Sequence, residues 1–155
     1  RAHNAQQAIH NLHLARKEFD NITVDLIYGS PLLTDEMWKQ NVERAIGFEI
    51  PHLSCYALTV EEKTPLHKLI NTNKTNDVDN EKQARQFLLL MQWLKENPDV
   101  VFGISSGRSK ALLQQALHQY PVRDPDVLIC SAGTEIYYTK DFIPDEGWKS
   151  RIAYQ

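Results

Sequence analysis

Cysteine is nearly missing from this chain, which has only Cys55 and Cys130. Iron–sulfur clusters are normally held by more thiolates than that, so two distant cysteines exclude a cluster resident in this chain. Both lie in apolar runs, Leu53-Ser54-Cys55-Tyr56-Ala57-Leu58 and Val127-Leu128-Ile129-Cys130, which suits a small buried thiol in a strand. With no secretory signal in view, a disulfide is not expected and a cytoplasmic compartment follows. The chain opens on Arg1 rather than methionine, which reads as a fragment or a processed form. Long apolar runs are missing too, and none approaches the roughly 18 to 20 residues of a membrane span. Excess charge is absent, since 17 Lys and Arg against 20 Asp and Glu leave a net −3. The basic residues are scattered, so neither nucleic acid nor an anionic membrane is expected as a partner. Repeats and low-complexity tracts do not occur.

What remains is 155 residues, 42% apolar and 24% charged, enough for one core and the balance of a globular domain. Helical and strand patterns alternate. Ala5, Ala8, Leu12, Ala15 and Phe19 mark an amphipathic helix over 5–19, and Ile22 to Tyr28 is a β-branched strand stopped by Gly29-Ser30-Pro31. Thr34 with Asp35 and Glu36 begins a second helix, striped by Trp38, Val42, Ala45 and Ile46. A strand is predicted over 52–60, a loop with one helical turn near Leu66 to Ile70, and a long helix over 80–95. That helix carries Ala84, Phe87, Leu88, Met91 and Leu94 on one face and is ended by Pro98. Trp38, Trp93 and the Leu88-Leu89-Leu90 run read as core. A strand over 100–105, a helix over 109–120 (Leu112, Leu113, Ala116, Leu117) and a strand over 127–131 follow, with a short extra strand at Glu135 to Tyr138. Continuously apolar strands separated by helices predict an α/β fold: a parallel sheet of about four strands flanked by helices, half-barrel-like βα units joined to a Rossmann-like fragment. Such a truncated sheet would expose strand edges and favour self-association.

The identity of the chain changes near Asn97-Pro98. The stretch Asp20-Asn21-Ile22-Thr23-Val24-Asp25-Leu26-Ile27-Tyr28-Gly29-Ser30-Pro31 resembles the radical SAM proteins related to oxygen-independent coproporphyrinogen oxidase, nearest the HemW heme-chaperone branch. Arg1-Ala2-His3-Asn4-Ala5, Pro51 to Val60, Thr64-Pro65-Leu66 and the helix from Glu81 through Trp93 extend the likeness. It implies that residues 1–96 are the later strands and helices of a partial TIM-like barrel. The family's cluster-binding cysteine motif is missing here, and Ser30-Pro31-Leu32-Leu33-Thr34 lacks the second glycine of its turn. The resemblance implies that Asp25 is what is left of a contact to the ribose of S-adenosylmethionine. The other reading is a carboxylate paired with local backbone or water.

Residues 97–155 resemble the haloacid-dehalogenase-type (HAD) sucrose-phosphate phosphatases and the matching domain of sucrose-phosphate synthases. Val101-Phe102-Gly103-Ile104-Ser105-Ser106-Gly107-Arg108-Ser109 carries this, with Pro125 to Tyr138 and Asp145-Glu146-Gly147-Trp148. A hydroxyl at a strand end, followed by glycine and a helix start, suits a phosphate. The resemblance gives that hydroxyl to Ser106, with Gly107 and Arg108 completing the turn, and implies a small phosphorylated sugar or inorganic phosphate as ligand. Alternatively, Ser105, Ser106 and Ser109 only cap the helix that follows. Asp77-Val78-Asp79 imitates the family's nucleophile motif, which would make Asp77 the nucleophile and Asp79 the acid/base, with Mg2+ neutralising the phosphate. The polar residues 70–76 make a poor buried strand to aim Asp77, so an acidic helix cap is the competing reading. The family's later lysine and acidic metal pair have no counterpart here.

The two parts are expected to form one combined globular domain without a complete active site: a hybrid needing no cofactor, with a weak magnesium-dependent sugar-phosphate phosphatase or a passive phosphate module as alternatives. His10 and His13 stand three apart on the first helix, too few for a metal site, and His52 and His67 read as structural.

Overall fold

A computed structural model describes residues 4–120, 122–139 and 141–153. The matching segment at residues 1–3 lies outside the described residues. The chain divides into two compact units, Arg1–Leu89 and Leu90–Gln155.

The first unit contains α1 (Ala5–Glu18), β1 (Thr23–Tyr28), α2 (Asp35–Gly47), β2 (His52–Ala57), α3 (Pro65–Asn71) and the start of α4 (Asn80–Glu96). Its helices start where side chains replace missing backbone partners. Asn4 and Gln7 form a capping box on α1. The Thr34 hydroxyl accepts from the Met37 N–H on α2, and the Thr64 hydroxyl from the His67 N–H on α3. β1 and β2 run parallel, from Thr23 beside His52 to Tyr28 beside Ala57, with α2 as the crossover. Trp38, 1% exposed, Val42 and Ala45 form the buried stripe of α2, and the Trp38 ring lies 5.4 Å from that of Tyr28.

Gln86 of α4 is wholly buried and fully bonded. Its Oε1 accepts from the Gly29 N–H (2.8 Å), and its Nε2 donates to the Leu33 carbonyl (3.2 Å) and to Asp35 (3.1 Å). Its own carbonyl accepts from the Trp38 indole N–H (2.9 Å). Lys82 donates to the carbonyls of Ser30 and Pro31, and Gln83 to that of Leu58. Gly29 has φ +78°, and a Cβ there would collide with the Gln83 side chain, so backbone conformation and close approach both demand glycine. The expected stripe of α4 is therefore corrected. Ala84 is exposed and Leu88 is 48% exposed, while Gln86 takes an inward position because its amide bonds outweigh its polarity.

The second unit contains the end of α4, β3 (Gly103–Ser105), α5 (Lys110–Gln119), β4 (Val127–Cys130), β5 (Glu135–Tyr138), β6 (Ile143–Pro144) and α6 (Glu146–Ala153). β3 and β4 pair in parallel, and β4–β5 and β5–β6 are antiparallel. Leu128 and Cys130, both 0% exposed, form the core with Leu113, joined by Ile104, Leu117, Tyr137 and Phe142. Arg123 secures the entry to β4, donating to the Leu94 and Pro98 carbonyls and to Asp126.

The fold is mixed α/β, yet the expected parallel sheet of about four strands is corrected to a two-stranded parallel sheet and a four-stranded mixed one. After β4 a tight turn reverses the chain, so β5 runs back along β4 where a helix would have kept the strands parallel. β1 is not covered on both faces either. Thr23, Asp25 and Ile27 are exposed on one side while Val24, Leu26 and Tyr28 turn inward.

Both cysteines are free. Burial pushes the half-buried Cys55 thiol up to about 11 from 9.0. The fold favours the protonated thiol, so this contribution is complete below the unfolded value and is lost as pH rises through the folded one. At pH 8, iodoacetamide is expected to label Cys55 roughly 100-fold more slowly in the folded chain than in urea, followed by mass spectrometry of the peptide. Gln86→Leu keeps the volume while stranding the Gly29 N–H and Leu33 carbonyl. Urea unfolding is expected to show a loss of roughly 2–4 kcal/mol.

Candidate functional site

Asp25, Asp77 and Asp79 belong to the first unit, and Ser106, Gly107 and Arg108 to the second. Asp25 sits mid-strand on β1 opposite Ser54, on the exposed face that also carries the 2.7 Å bond between the Thr23 hydroxyl and His52 Nδ1.

Asp77 and Asp79 lie in an irregular segment between α3 and α4, with no strand leading to them. The Asp77 carboxylate accepts from the neighbouring Val78 N–H at 2.7 Å. Asp79 caps α4, its Oδ1 accepting from the N–H groups of Glu81 (2.9 Å) and Lys82 (3.1 Å). A carboxylate in this position is favoured by the helix dipole as well as by the two hydrogen bonds. His13 packs edge-on against Phe48, with ring centres 4.8 Å apart, and His67 bonds within its own helical turn to Lys63 and Asn71. Among the described residues no group of three or more His, Cys, Asp or Glu side chains is arranged to hold a metal.

Ser106, Gly107 and Arg108 follow the carboxyl end of β3. The Ser106 N–H donates to the Ile129 carbonyl (2.9 Å), continuing the parallel ladder one step past the strand. The Ser106 hydroxyl oxygen accepts from the Arg108 N–H at 3.2 Å, which leaves its own hydrogen free to donate elsewhere. Ser109 occupies the cap position of α5, but its side chain makes no capping bond. The reading of Ser105, Ser106 and Ser109 as helix caps is thus corrected: the hydroxyl that engages backbone is Ser106, and it serves the loop rather than the helix. The first turn of α5 keeps its N–H groups without a side-chain cap, whereas α1 to α4 are capped. Such an end attracts anions.

The placement of several residues beside this loop escaped sequence reasoning. Lys110, the first residue of α5, lies over the rings of Tyr137 (4.3 Å) and Phe142 (5.1 Å). The turn Ser131–Gly133 donates the Ser131 N–H to the Arg108 carbonyl (2.9 Å) and the Ala132 N–H to that of Ser106 (3.4 Å). Trp148 reaches that turn, its indole N–H donating to the Gly133 carbonyl (2.8 Å). The signal available beforehand was the short Ser131-Ala132-Gly133-Thr134 link, which is too brief for a helix between two strands and so requires a reversal.

The model of the sucrose-6F-phosphate phosphohydrolase family matches residues 68–155, more than half of the chain. Among curated proteins, the heme chaperone HemW of Lactococcus lactis is 31% identical over 98 residues, 63% of this chain and 26% of that protein. Sucrose-phosphatase 2 of Nicotiana tabacum is 35% identical over 75 residues, 48% of this chain and 17% of that protein. A putative HAD-like hydrolase of Nitrosococcus oceani is 34% identical over 76 residues, 48% of this chain and 20% of that protein. The chain spans about a quarter or less of the length of these relatives. No solved structure matches it.

Because Asp79 caps α4, Asp79→Ala is expected to cost about 1 kcal/mol in urea denaturation and Asp79→Ser to recover most of it. A loss that serine does not recover would give the carboxylate a different role.

Proposed function

Since the chain belongs to the sucrose-6F-phosphate phosphohydrolase family, we propose that its second unit is a phosphate-binding module of the HAD type. Its ligand is the phosphoryl group of a small sugar phosphate, or inorganic phosphate itself. One observation carries this reading: Ser106, its hydroxyl hydrogen uncommitted, stands at the strand end before a helix whose N-terminus has no side-chain cap. The hydroxyl donates to one phosphoryl oxygen, free N–H groups donate to others, and exposed Arg108 supplies countercharge.

In this reading the chain assembles no complete active site. Asp79 is held by α4, and Asp77 has no strand to aim it. The phosphate-binding reading needs no magnesium ion, and among the described residues no group of three or more His, Cys, Asp or Glu side chains is gathered to hold one. A second reading, a weak phosphatase with Asp77 as nucleophile and Asp79 as acid/base, is favoured by the family match, which begins at residue 68 and takes in both. Residues 1–96 are proposed to descend from a heme-chaperone-like radical SAM barrel, with Asp25 a remnant on the open face of β1 and the junction near Asn97-Pro98. The HemW relatives support this ancestry. The free thiols support a cytoplasmic location, and the uncovered β1–β2 sheet supports self-association.

Two measurements test the module. Calorimetric titration with phosphate is expected to show binding that weakens roughly tenfold in Ser106→Ala, the worth of one charge-assisted hydrogen bond. Phosphate release from sucrose 6-phosphate, assayed with magnesium present, is expected to stay at background. Release that disappears in Asp77→Asn would instead establish the phosphatase.

A further inference from the structure

The turn after β4 is unusual in its backbone. Ser131, Ala132 and Gly133 have φ of +50°, +56° and +88°, three left-handed residues in succession, of which two carry a Cβ. Such conformations are individually disfavoured and persist where the surroundings over-determine them. Here the surroundings are identifiable. The Thr134 hydroxyl and N–H both donate to the Ser131 carbonyl (2.9 and 3.3 Å). The Trp148 indole holds the Gly133 carbonyl at 2.8 Å. Trp148 is itself set by Asp145, which accepts from the Trp148 N–H (2.9 Å) and from the Tyr138 hydroxyl (3.1 Å).

The strained turn acts on the loop across from it. Its Ser131 and Ala132 N–H groups draw the carbonyls of Arg108 and Ser106 toward themselves. A trans peptide unit is planar, so the N–H that follows each carbonyl points the opposite way. The Gly107 and Ser109 N–H groups are therefore turned away from Ser131–Gly133, and neither has an acceptor among the described residues.

We propose that Trp148, acting through the left-handed turn Ser131–Gly133, is a positioning residue for the loop 106–109, holding the Gly107 and Ser109 amides ready for an anion. This rests on the reading of that loop as a phosphate site. Trp148 does not touch the phosphate. It fixes the turn, and the turn fixes the two peptide planes.

The test is a phosphate titration of the isotopically labelled full chain, read at the amide resonances of Gly107 and Ser109, in the unsubstituted protein, Trp148→Phe, Gly133→Ala and Ala132→Gly. Trp148→Phe removes the indole N–H while keeping an aromatic ring. Gly133→Ala opposes φ +88° at a position where a Cβ meets no neighbouring atom, so it tests the turn should the tryptophan variant fail to fold. Ala132→Gly relieves strain and retains the N–H. The unsubstituted chain and Ala132→Gly are expected to bind phosphate within about twofold of each other, with both amides shifting. Trp148→Phe and Gly133→Ala are expected to bind roughly tenfold more weakly, with the two amides displaced before any phosphate is added. Equal affinity and unmoved amides in the folded variants would overturn the positioning role while leaving the phosphate site standing. No phosphate-dependent shift at Gly107 and Ser109 in the unsubstituted chain would overturn both.

Discussion

The carboxamide of Gln86 is the constraint around which the first unit is arranged. A buried amide must satisfy every donor and acceptor it brings from water, and Gln86 does so against the end of β1, the Leu33 carbonyl, the start of α2 and the Trp38 indole. These groups are distant in sequence, so one side chain sets the approach of α4 to the β1–α2 connection. Lys82 and Gln83, on the preceding turn, extend the same attachment to Ser30, Pro31 and Leu58. Hydrophobic packing holds Trp38, Val42 and Ala45, but packing alone tolerates sliding. Hydrogen bonds with fixed geometry do not, and register is what they add here.

The second unit uses different means. Its core is small, built on Leu113, Leu128 and Cys130, and its precision lies in backbone contacts between the segments leaving β3 and β4. Parallel strands deliver their following loops to the same edge of a sheet, which is why such edges gather ligand sites. The loop at Ser106 and the turn at Ser131 meet because β3 and β4 are parallel neighbours. The loop keeps hydrogen-bonding capacity unused, since Ser109 makes no side-chain cap on α5 and the Ser106 hydroxyl only accepts from the Arg108 N–H.

Much of the fold was legible because it rests on local chemistry. Thr34 with Asp35 and Glu36 announced α2, Pro98 marked a limit for α4, and Glu135–Tyr138 formed a strand within its expected bounds. Gln86 was not legible, since a glutamine within an apolar helix reads as surface until its partners on other elements are known. The segment 100–102 looked like strand from composition, yet pairing begins at Gly103, opposite Val127. Of the site, the Ser106-Gly107-Arg108 motif stood out in the sequence. Trp148 and Ser131–Gly133 lay within segments that carried the resemblance, but their contact was not legible, because an indole bonded to a carbonyl fifteen residues earlier leaves no periodic trace.

The contrast between the two sheets also sets how each assembles. β4, β5 and β6 are joined by short links and pair with their immediate neighbours in sequence, so little loop entropy opposes their closure. β1 and β2 are parallel and meet only after the whole of α2 has been laid between them. Their pairing is a non-local contact of the kind that slows folding. A two-stranded sheet has little stability of its own, so loss of α2 would release both strands together. The meander can form early as a local unit, whereas the strand that carries Asp25 and Ile27 must wait for its helix.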